Sequence, residues 1–332
     1  EPGGQWLFVV NRESHNLAVL PAQRRVGKEP QQANVATIVD VGEGADGVAL
    51  SSDGKTAYVY AQFDHSLSIV RHDDASSDPL SLKEVNRVKL VGETLSPDAV
   101  VGRKMFYSAT DTRISAPQTG TACASCHPNG QSDGHVWRFP DGPRRTPALA
   151  GRALTETAPY HWTGVFPKMQ DFYNETIIRR MGGTGLADTE AKLITDFVAA
   201  APAAENPLHD RADLSDVMAR GQQAFAKANC ATCHTGDKMT DNDIHDVGTL
   251  VSTDRLEATE TGFSTSPLTG LNTPSLLNIA RQGTFLHDGS ALTLRGRLLQ
   301  SRFPKHDGKD HGDTSMLSDQ EISDLETYLL SH

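Results

Sequence analysis

No stretch of this sequence approaches the ~18 consecutive apolar residues that a membrane-crossing helix needs. The longest runs, such as Phe197 to Pro202, fall far short. Positive charge is also scarce: 31 lysines and arginines face 42 aspartates and glutamates, a net −11. A nucleic-acid partner calls for a basic face, so that class is excluded. The pairs Arg24-Arg25, Arg144-Arg145 and Arg179-Arg180 are short and scattered, and read as solvated surface or local ion pairs. The opening Glu1-Pro2-Gly3-Gly4 has neither the charged start nor the apolar stretch of a signal peptide, which suggests a mature or trimmed form. With 28 glycines and 17 prolines in 332 residues, neither collagen nor wholesale disorder fits. At ~150 residues per domain, the length gives two domains or three.

Cysteine is rarer still, with only four in the chain, yet these four carry most of the information. They form two copies of one pattern, Cys123-Ala124-Ser125-Cys126-His127 and Cys230-Ala231-Thr232-Cys233-His234. C-x-x-C-H is the attachment motif of c-type haem. Two thiols at this spacing add to the two vinyl groups on one porphyrin edge, and the adjacent imidazole becomes the proximal iron ligand. A zinc site needs no His directly after each pair. A thioredoxin-like redox pair would use one C-x-x-C near a βαβ pattern. Two local disulfides would be strained and would leave both histidines unexplained. Two covalently attached haem c groups are therefore expected, on Cys123, Cys126 and His127 and on Cys230, Cys233 and His234. Thioether attachment occurs outside the cytoplasm, so a periplasmic, exported protein follows.

The order of elements gives a mostly α chain with two cytochrome c-like haem domains, preceded by a small β module. Residues 1–85 read as β: Leu7-Val10, Leu17-Leu20, Ala36-Val41, Ala57-Tyr60 and Leu67-Val70 are short Val-, Tyr- and Leu-rich runs separated by turn residues. Gly47 to Tyr60 resembles the repeat of YVTN-type β-propellers, and Trp6 to Val19 resembles a degenerate second copy. A closed propeller needs at least about four such blades, so a partial module packed on the haem domain, or a truncated longer protein, is expected. A composition shift at Asp73 to Pro79 marks its boundary. From residue 90 the pattern turns helical. Ser96-Pro97-Asp98 offers an N-cap with Pro at the first helical position, and Asp188 and Ser215 open further helices. Ser318 with Glu321 forms a capping box. The domains expected are 1–85, 86–205 with the first haem and 206–332 with the second.

Residues 90–330 resemble bacterial di-haem cytochrome c peroxidases and their MauG-type relatives. The likeness is carried by Gly102-Arg103-Lys104-Met105-Phe106, Pro143-Arg144-Arg145-Thr146-Pro147 and Tyr160-His161-Trp162-Thr163-Gly164, in which Thr163 replaces the usual Asp of W-D-G. Asn272 to Asn278 and Leu286-His287-Asp288-Gly289-Ser290 complete it. The resemblance implies a peroxidatic N-terminal haem, an electron-transfer C-terminal haem, and Trp162 between them as an aromatic relay. It implies a distal role for His135 in the H-x-W-like His135-Val136-Trp137. Glu175 stands where the family's proton-transferring glutamate follows W-D-G. The family's second axial ligand, Met or Tyr, falls on Ser301, which is no strong iron ligand. His311, with His306 and Met316 as the other candidates, takes that role instead. The family holds calcium through an Asn and a Thr whose counterparts here are Arg145 and Gln282. A guanidinium repels a cation, so Arg145 is expected to supply the positive charge itself, for instance to a haem propionate.

Three functions follow. The first is reduction of hydrogen peroxide with electrons from a small donor protein, a cytochrome c or a cupredoxin. The second, on the same scaffold, is oxidation of a protein or organic substrate through high-valent haem, as in MauG-type and rubber-cleaving relatives. The third is a non-catalytic electron-transfer cytochrome.

Overall fold

The computed structural model describes residues 1–22, 35–78, 80–203, 205–257 and 264–332. Arg24-Arg25 and Pro79 lie outside the described residues. The chain divides into two compact units, Glu1–Ala122 and Cys123–His332.

The first unit holds two antiparallel sheets. Strands β1 (Trp6–Asn11), β2 (Asn16–Pro21) and β3 (Thr37–Asp40) form one, and β4 (Ala45–Leu50), β5 (Thr56–Ala61), β6 (Ser66–His72) and β7 (Leu82–Lys89) the other, each strand paired with the next in sequence. Side chains alternate across a strand. Thus Ala57, Val59 and Ala61 of β5 point inward while Tyr60 is exposed. Leu17, Val39, Val41, Ala45, Ala57, Val59 and Val70 make the core. All five expected runs lie on strands. Strand β7 was not legible because Lys83, Glu84, Asn86, Arg87 and Lys89 make it polar, yet it pairs with β6 from Leu82 to Lys89. The composition shift after His72 is therefore the connection between two paired strands, and the unit runs on through helix α1 (Pro97–Tyr107). Ser96 caps α1 by accepting the Ala99 N–H at 3.3 Å.

The second unit is built of short helices joined by long loops. Its elements are α2 (Cys123–Cys126), the hairpin β8 (Val136–Phe139) and β9 (Gly142–Arg145), then α3 (Met169–Asn174), which continues as a π-helix over Glu175–Arg180. Helices α4 (Asp188–Ala199) and α5 (Ser215–Lys227), the small pair β10 (Ile244–His245) and β11 (Leu271–Asn272), α6 (Leu294–Gln300) and α7 (Asp319–Leu330) follow. Helix α4 begins at Asp188, but its N-cap is Ala187. Helix α7 carries the Ser318–Glu321 capping box.

Helices α5, α6 and α7 share a core of Phe225, Leu294, Leu298, Ile322, Leu325 and Leu329. Helix α5 meets α7 at Gly221, where a Cβ would lie 2.4 Å from the Asp324 carbonyl oxygen, so only glycine admits this approach. The crossing fixes the C-terminal end of α5, from which the second C-x-x-C-H segment departs. No described helix is long and apolar enough to cross a membrane.

Candidate haem sites and the network between them

The first motif is one turn of helix. The His127 N–H continues that turn to the Cys123 carbonyl at 2.9 Å. The His127 Nδ1 lies 3.0 Å from the Pro147 carbonyl oxygen, to which it can only donate. That bond fixes the tautomer and leaves Nε2 with its lone pair free for a metal. Burial pulls the imidazole down to about 4, so it is neutral at physiological pH.

The second motif repeats the arrangement. Asn229, in the left-handed region at φ 59°, turns the chain out of α5, and the His234 N–H bonds the Cys230 carbonyl at 3.0 Å. The His234 Nδ1 meets the Met239 carbonyl at 3.1 Å. All four cysteines are thiols, partly buried, and none forms a disulfide.

Facing His234 is His311. The two ring centres are 6.3 Å apart with planes inclined by 34°. The His311 Nδ1 is buried and has no hydrogen-bond partner among the described residues. Burial, with help from the Arg297 and His234 charges, pushes this imidazole down to about 3. Its loop is pinned by the Ser301 hydroxyl, which donates to the His311 carbonyl at 2.7 Å, and by Arg297, which donates to the same oxygen at 3.1 Å. Ser301 thus fastens the residue that stands where a ligand would. His306 is exposed, as is Met316 at 75%. Between His234 and His311 lies a cavity of about 440 Å³, lined by Cys230 and Cys233 and by apolar Phe225, Leu276, Ile279, Leu294 and Leu298. That volume is in the range of small-molecule and cofactor sites.

The same cavity reaches Trp162, His287, Arg145 and Arg152. Trp162 is buried, and its Nε1–H donates to the Arg145 carbonyl at 2.9 Å. One short segment, Arg145-Thr146-Pro147, therefore holds the indole through one carbonyl and the first site's His127 through another. Arg152 is buried, and no carboxylate among the described residues pairs with it. Burial and the neighbouring Arg145 charge bring its guanidinium down to about 9.

Behind Trp162 runs a buried ionic network. The His287 ring sits 6.3 Å from the indole, and its Nε2 lies 3.0 Å from Asp254 Oδ2. The other Asp254 oxygen accepts from Arg144 at 2.7 Å, and Arg144 also donates to the Asp141 carbonyl at 2.9 Å. Arg180 reaches the Asp141 carboxylate at 3.3 Å and donates its Nε to both oxygens of Glu175 at 2.9 Å. Glu175 is thus a buried, arginine-bound carboxylate on a π-helix, a feature often found at functional sites. Thr163 donates its hydroxyl to Glu257, which also holds His161. His135 is exposed on the loop before β8, its ring 4.7 Å from that of Trp137.

Arg144 and Arg145 are only 2% and 4% exposed, so neither is solvated surface. Arg144 and Arg180 are buried ion-pair partners, and Arg145 bonds only backbone carbonyls. Asp141, Asp254, Glu257 and Arg152 escaped the sequence reading, since nothing local marks a carboxylate whose partner lies 110 residues away.

The network sets an acid limit. Burial alone would raise the Glu257 carboxyl, yet His161, Thr163 and Arg144 hold it down to about 2 against an ordinary 4.5. A carboxyl lowered on folding stabilises the fold above its unfolded pKa, and the contribution is lost as pH falls through the folded value. Chemical denaturation of the protein should therefore show about 3 kcal/mol of stability disappearing between about pH 4.5 and 2. In a Glu257→Gln variant that slope should flatten.

Residues 218–332 match the Cytochrome c family. The chain is 34% identical over 147 residues to hydrazine synthase subunit gamma of Kuenenia stuttgartiensis, which covers 35% of this chain and 41% of that subunit. It is 27% identical over 241 residues to the methylamine utilization protein MauG of Methylophilus methylotrophus, covering 59% of this chain and 70% of that protein. Its fold is similar to that of a MauG-like protein associated with microbial copper homeostasis, with a TM-score of 0.50 and 19% identity over 74% of this chain and 90% of that one. The family match covers the second C-x-x-C-H motif, and the first motif repeats its pattern, that of c-type haem attachment. Over most of its length the chain is similar to MauG proteins, and its C-terminal third matches the Cytochrome c family.

Proposed function

We propose that this protein is an exported, periplasmic di-haem peroxidase, with an open haem on Cys123, Cys126 and His127 and a closed one on Cys230, Cys233, His234 and His311. The observation that carries the reading is the inequality of the two sites. His311 stands across from His234, whereas no ring among the described residues packs on His127. Two imidazoles each bonded about 2 Å from one metal between them have ring centres about 6 Å apart, and 6.3 Å is found. The buried, partnerless Nδ1 of His311 fits the same group. Cys233, Asp241 and His245 could together hold another metal, but a zinc reading would leave three of the four thiols and both adjacent histidines unused.

When bound, the two haems supply one iron that meets peroxide and one that gives and stores electrons. His127 presents Nε2 because Pro147 holds its other nitrogen. Arg152, without a carboxylate of its own, is suited to a haem propionate. Trp162 bridges the sites through the Arg145–Pro147 segment. Glu175, oriented by Arg180, is the group to take a proton from peroxide and return it to the leaving oxygen. His135 remains an alternative on the distal side. Calcium has no place in this reading, because the Arg145 guanidinium occupies the Leu286 and Thr146 carbonyl oxygens that a hard cation would need.

Electron paramagnetic resonance of the oxidised holoprotein should show one high-spin and one low-spin iron, and peroxide should oxidise a reduced small cytochrome c catalytically. Two low-spin irons closed to small ligands would end the proposal in favour of a pure electron carrier. The resemblance to MauG sustains a second reading, in which the same oxidant acts on a protein or organic substrate. Rapid consumption of peroxide without oxidation of the small donor would select it.

A further inference from the structure

We infer that Arg145 prevents Trp162 from storing an oxidising equivalent, so that the indole passes electrons without resting as a radical. The inference rests on the reading of Trp162 as the link between the haems. One residue grips the indole from two sides. Its carbonyl accepts the Nε1–H at 2.9 Å, and its guanidinium carbon lies 5.3 Å from the ring centre. The guanidinium is itself held only by uncharged acceptors, Leu286 O at 3.1 Å and Thr146 O at 3.3 Å. No carboxylate among the described residues forms an ion pair with it, Asp133 acts on it only at longer range, and the residue is 4% exposed, so little in the chain or in bulk water offsets the charge at the ring.

Both contacts favour the reduced ring. A cation over an electron-rich face is attracted to it, and that attraction turns to repulsion once the ring has lost an electron. An oxidised indole could escape as a neutral radical only by giving its Nε1 proton to a base. Here the acceptor is a peptide carbonyl, which is no base; the Nε1–H is given to it and not to the nearby His287, whose Nε2 lies on Asp254 and whose Nδ1 is without a hydrogen-bond partner among the described residues. With both haems bound, Trp162 would give one electron on one side and take one from the other, its proton staying on Nε1. A unit charge at 5.3 Å, in surroundings of effective dielectric about 20, opposes a second positive charge by a factor on the order of a hundred in an equilibrium constant.

The test compares the holoproteins of wild type, Arg145→Met, which removes the charge at similar length, and Arg145→Lys, which keeps it. Each is treated with hydrogen peroxide and, separately, with hexachloroiridate(IV), an outer-sphere oxidant that needs no open iron. Peptide mass spectrometry reads the oxidation at Trp162, and freeze-quench electron paramagnetic resonance reads a tryptophanyl radical. Arg145→Met should oxidise Trp162 on the order of tenfold more than wild type, with Arg145→Lys close to wild type. Its radical should vanish when Trp162→Phe is added. Equal oxidation in Arg145→Met and Arg145→Lys, or a radical that already accumulates in wild type, would overturn the inference. The expected pattern with hexachloroiridate, but no Trp162 oxidation by peroxide in any variant, would uphold Arg145 while removing the peroxidase reading. Should Arg145→Met fail to retain both haems, Arg145→Gln takes its place with the same expected ordering.

Discussion

His311→Ala should turn the second haem from six-coordinate low-spin to high-spin and open it to carbon monoxide or imidazole, and added imidazole should restore the low-spin spectrum. The expectation follows from how the loop is held. Ser301 and Arg297 clamp the His311 carbonyl, the Asp313 N–H bonds the Ala228 carbonyl at 2.9 Å, and the Thr314 hydroxyl bonds the Leu298 carbonyl at 2.7 Å. Removing one ring from so fixed a loop leaves space rather than a replacement ligand. His306 and Met316 are exposed and cannot reach across without undoing these bonds. His311→Met, by contrast, should stay low-spin and raise the midpoint potential by on the order of 100 mV, because a thioether favours the reduced iron relative to an imidazole. Redox titration followed by optical spectra reads both outcomes. A low-spin second haem surviving in His311→Ala would remove His311 from the ligand set.

Arg144→Met should cost the second unit about 3–5 kcal/mol, the range for breaking a buried ion pair from one side. Arg144 is the cation shared by Asp254, Asp141 and Glu257, and its removal leaves three carboxylates buried near one another. For a unit of this size that is a fall of about 10 °C in the melting temperature. Calorimetry of the holoprotein at neutral pH would measure it. Asp141 keeps Arg180, Glu257 keeps His161 and Asp254 keeps His287, and because protonating the carboxylates relieves their remaining repulsion, the deficit should shrink as pH is lowered. A loss below about 1 kcal/mol would mean that the network is solvated and does not support the Trp162 side of the site.

The two proposed haem attachment motifs are legible because each is local: five consecutive residues contain both thiols and the imidazole. Helix starts at Ser96 and Ser318 were legible for the same reason, since their hydroxyls cap within one turn, whereas the helix at Ser215 has Leu214 at its N-cap and no side-chain cap. Strand β7 was not, because a sheet edge tolerates the polar residues that the alternation rule discards. The paired arginines misled. Arg144-Arg145 looks in sequence like any exposed basic pair, and only the fold shows that one side chain neutralises distant carboxylates while the other lies over an indole. The buried Glu175 shows the reverse case. A helix glutamate is usually solvated, and what buries this one is Arg180 approaching across a π-turn that no local propensity announces.

By itself, then, the sequence determined which two segments offer paired thiols with an adjacent imidazole, because that pattern is fixed over five consecutive residues. Only the tertiary structure decided which side chain comes across from the second site, what charge lies against Trp162 and which carboxylates are buried. Those depend on residues 17 to 110 positions apart in the chain, and desolvation, which makes a buried charge demand its partner, acts only after folding.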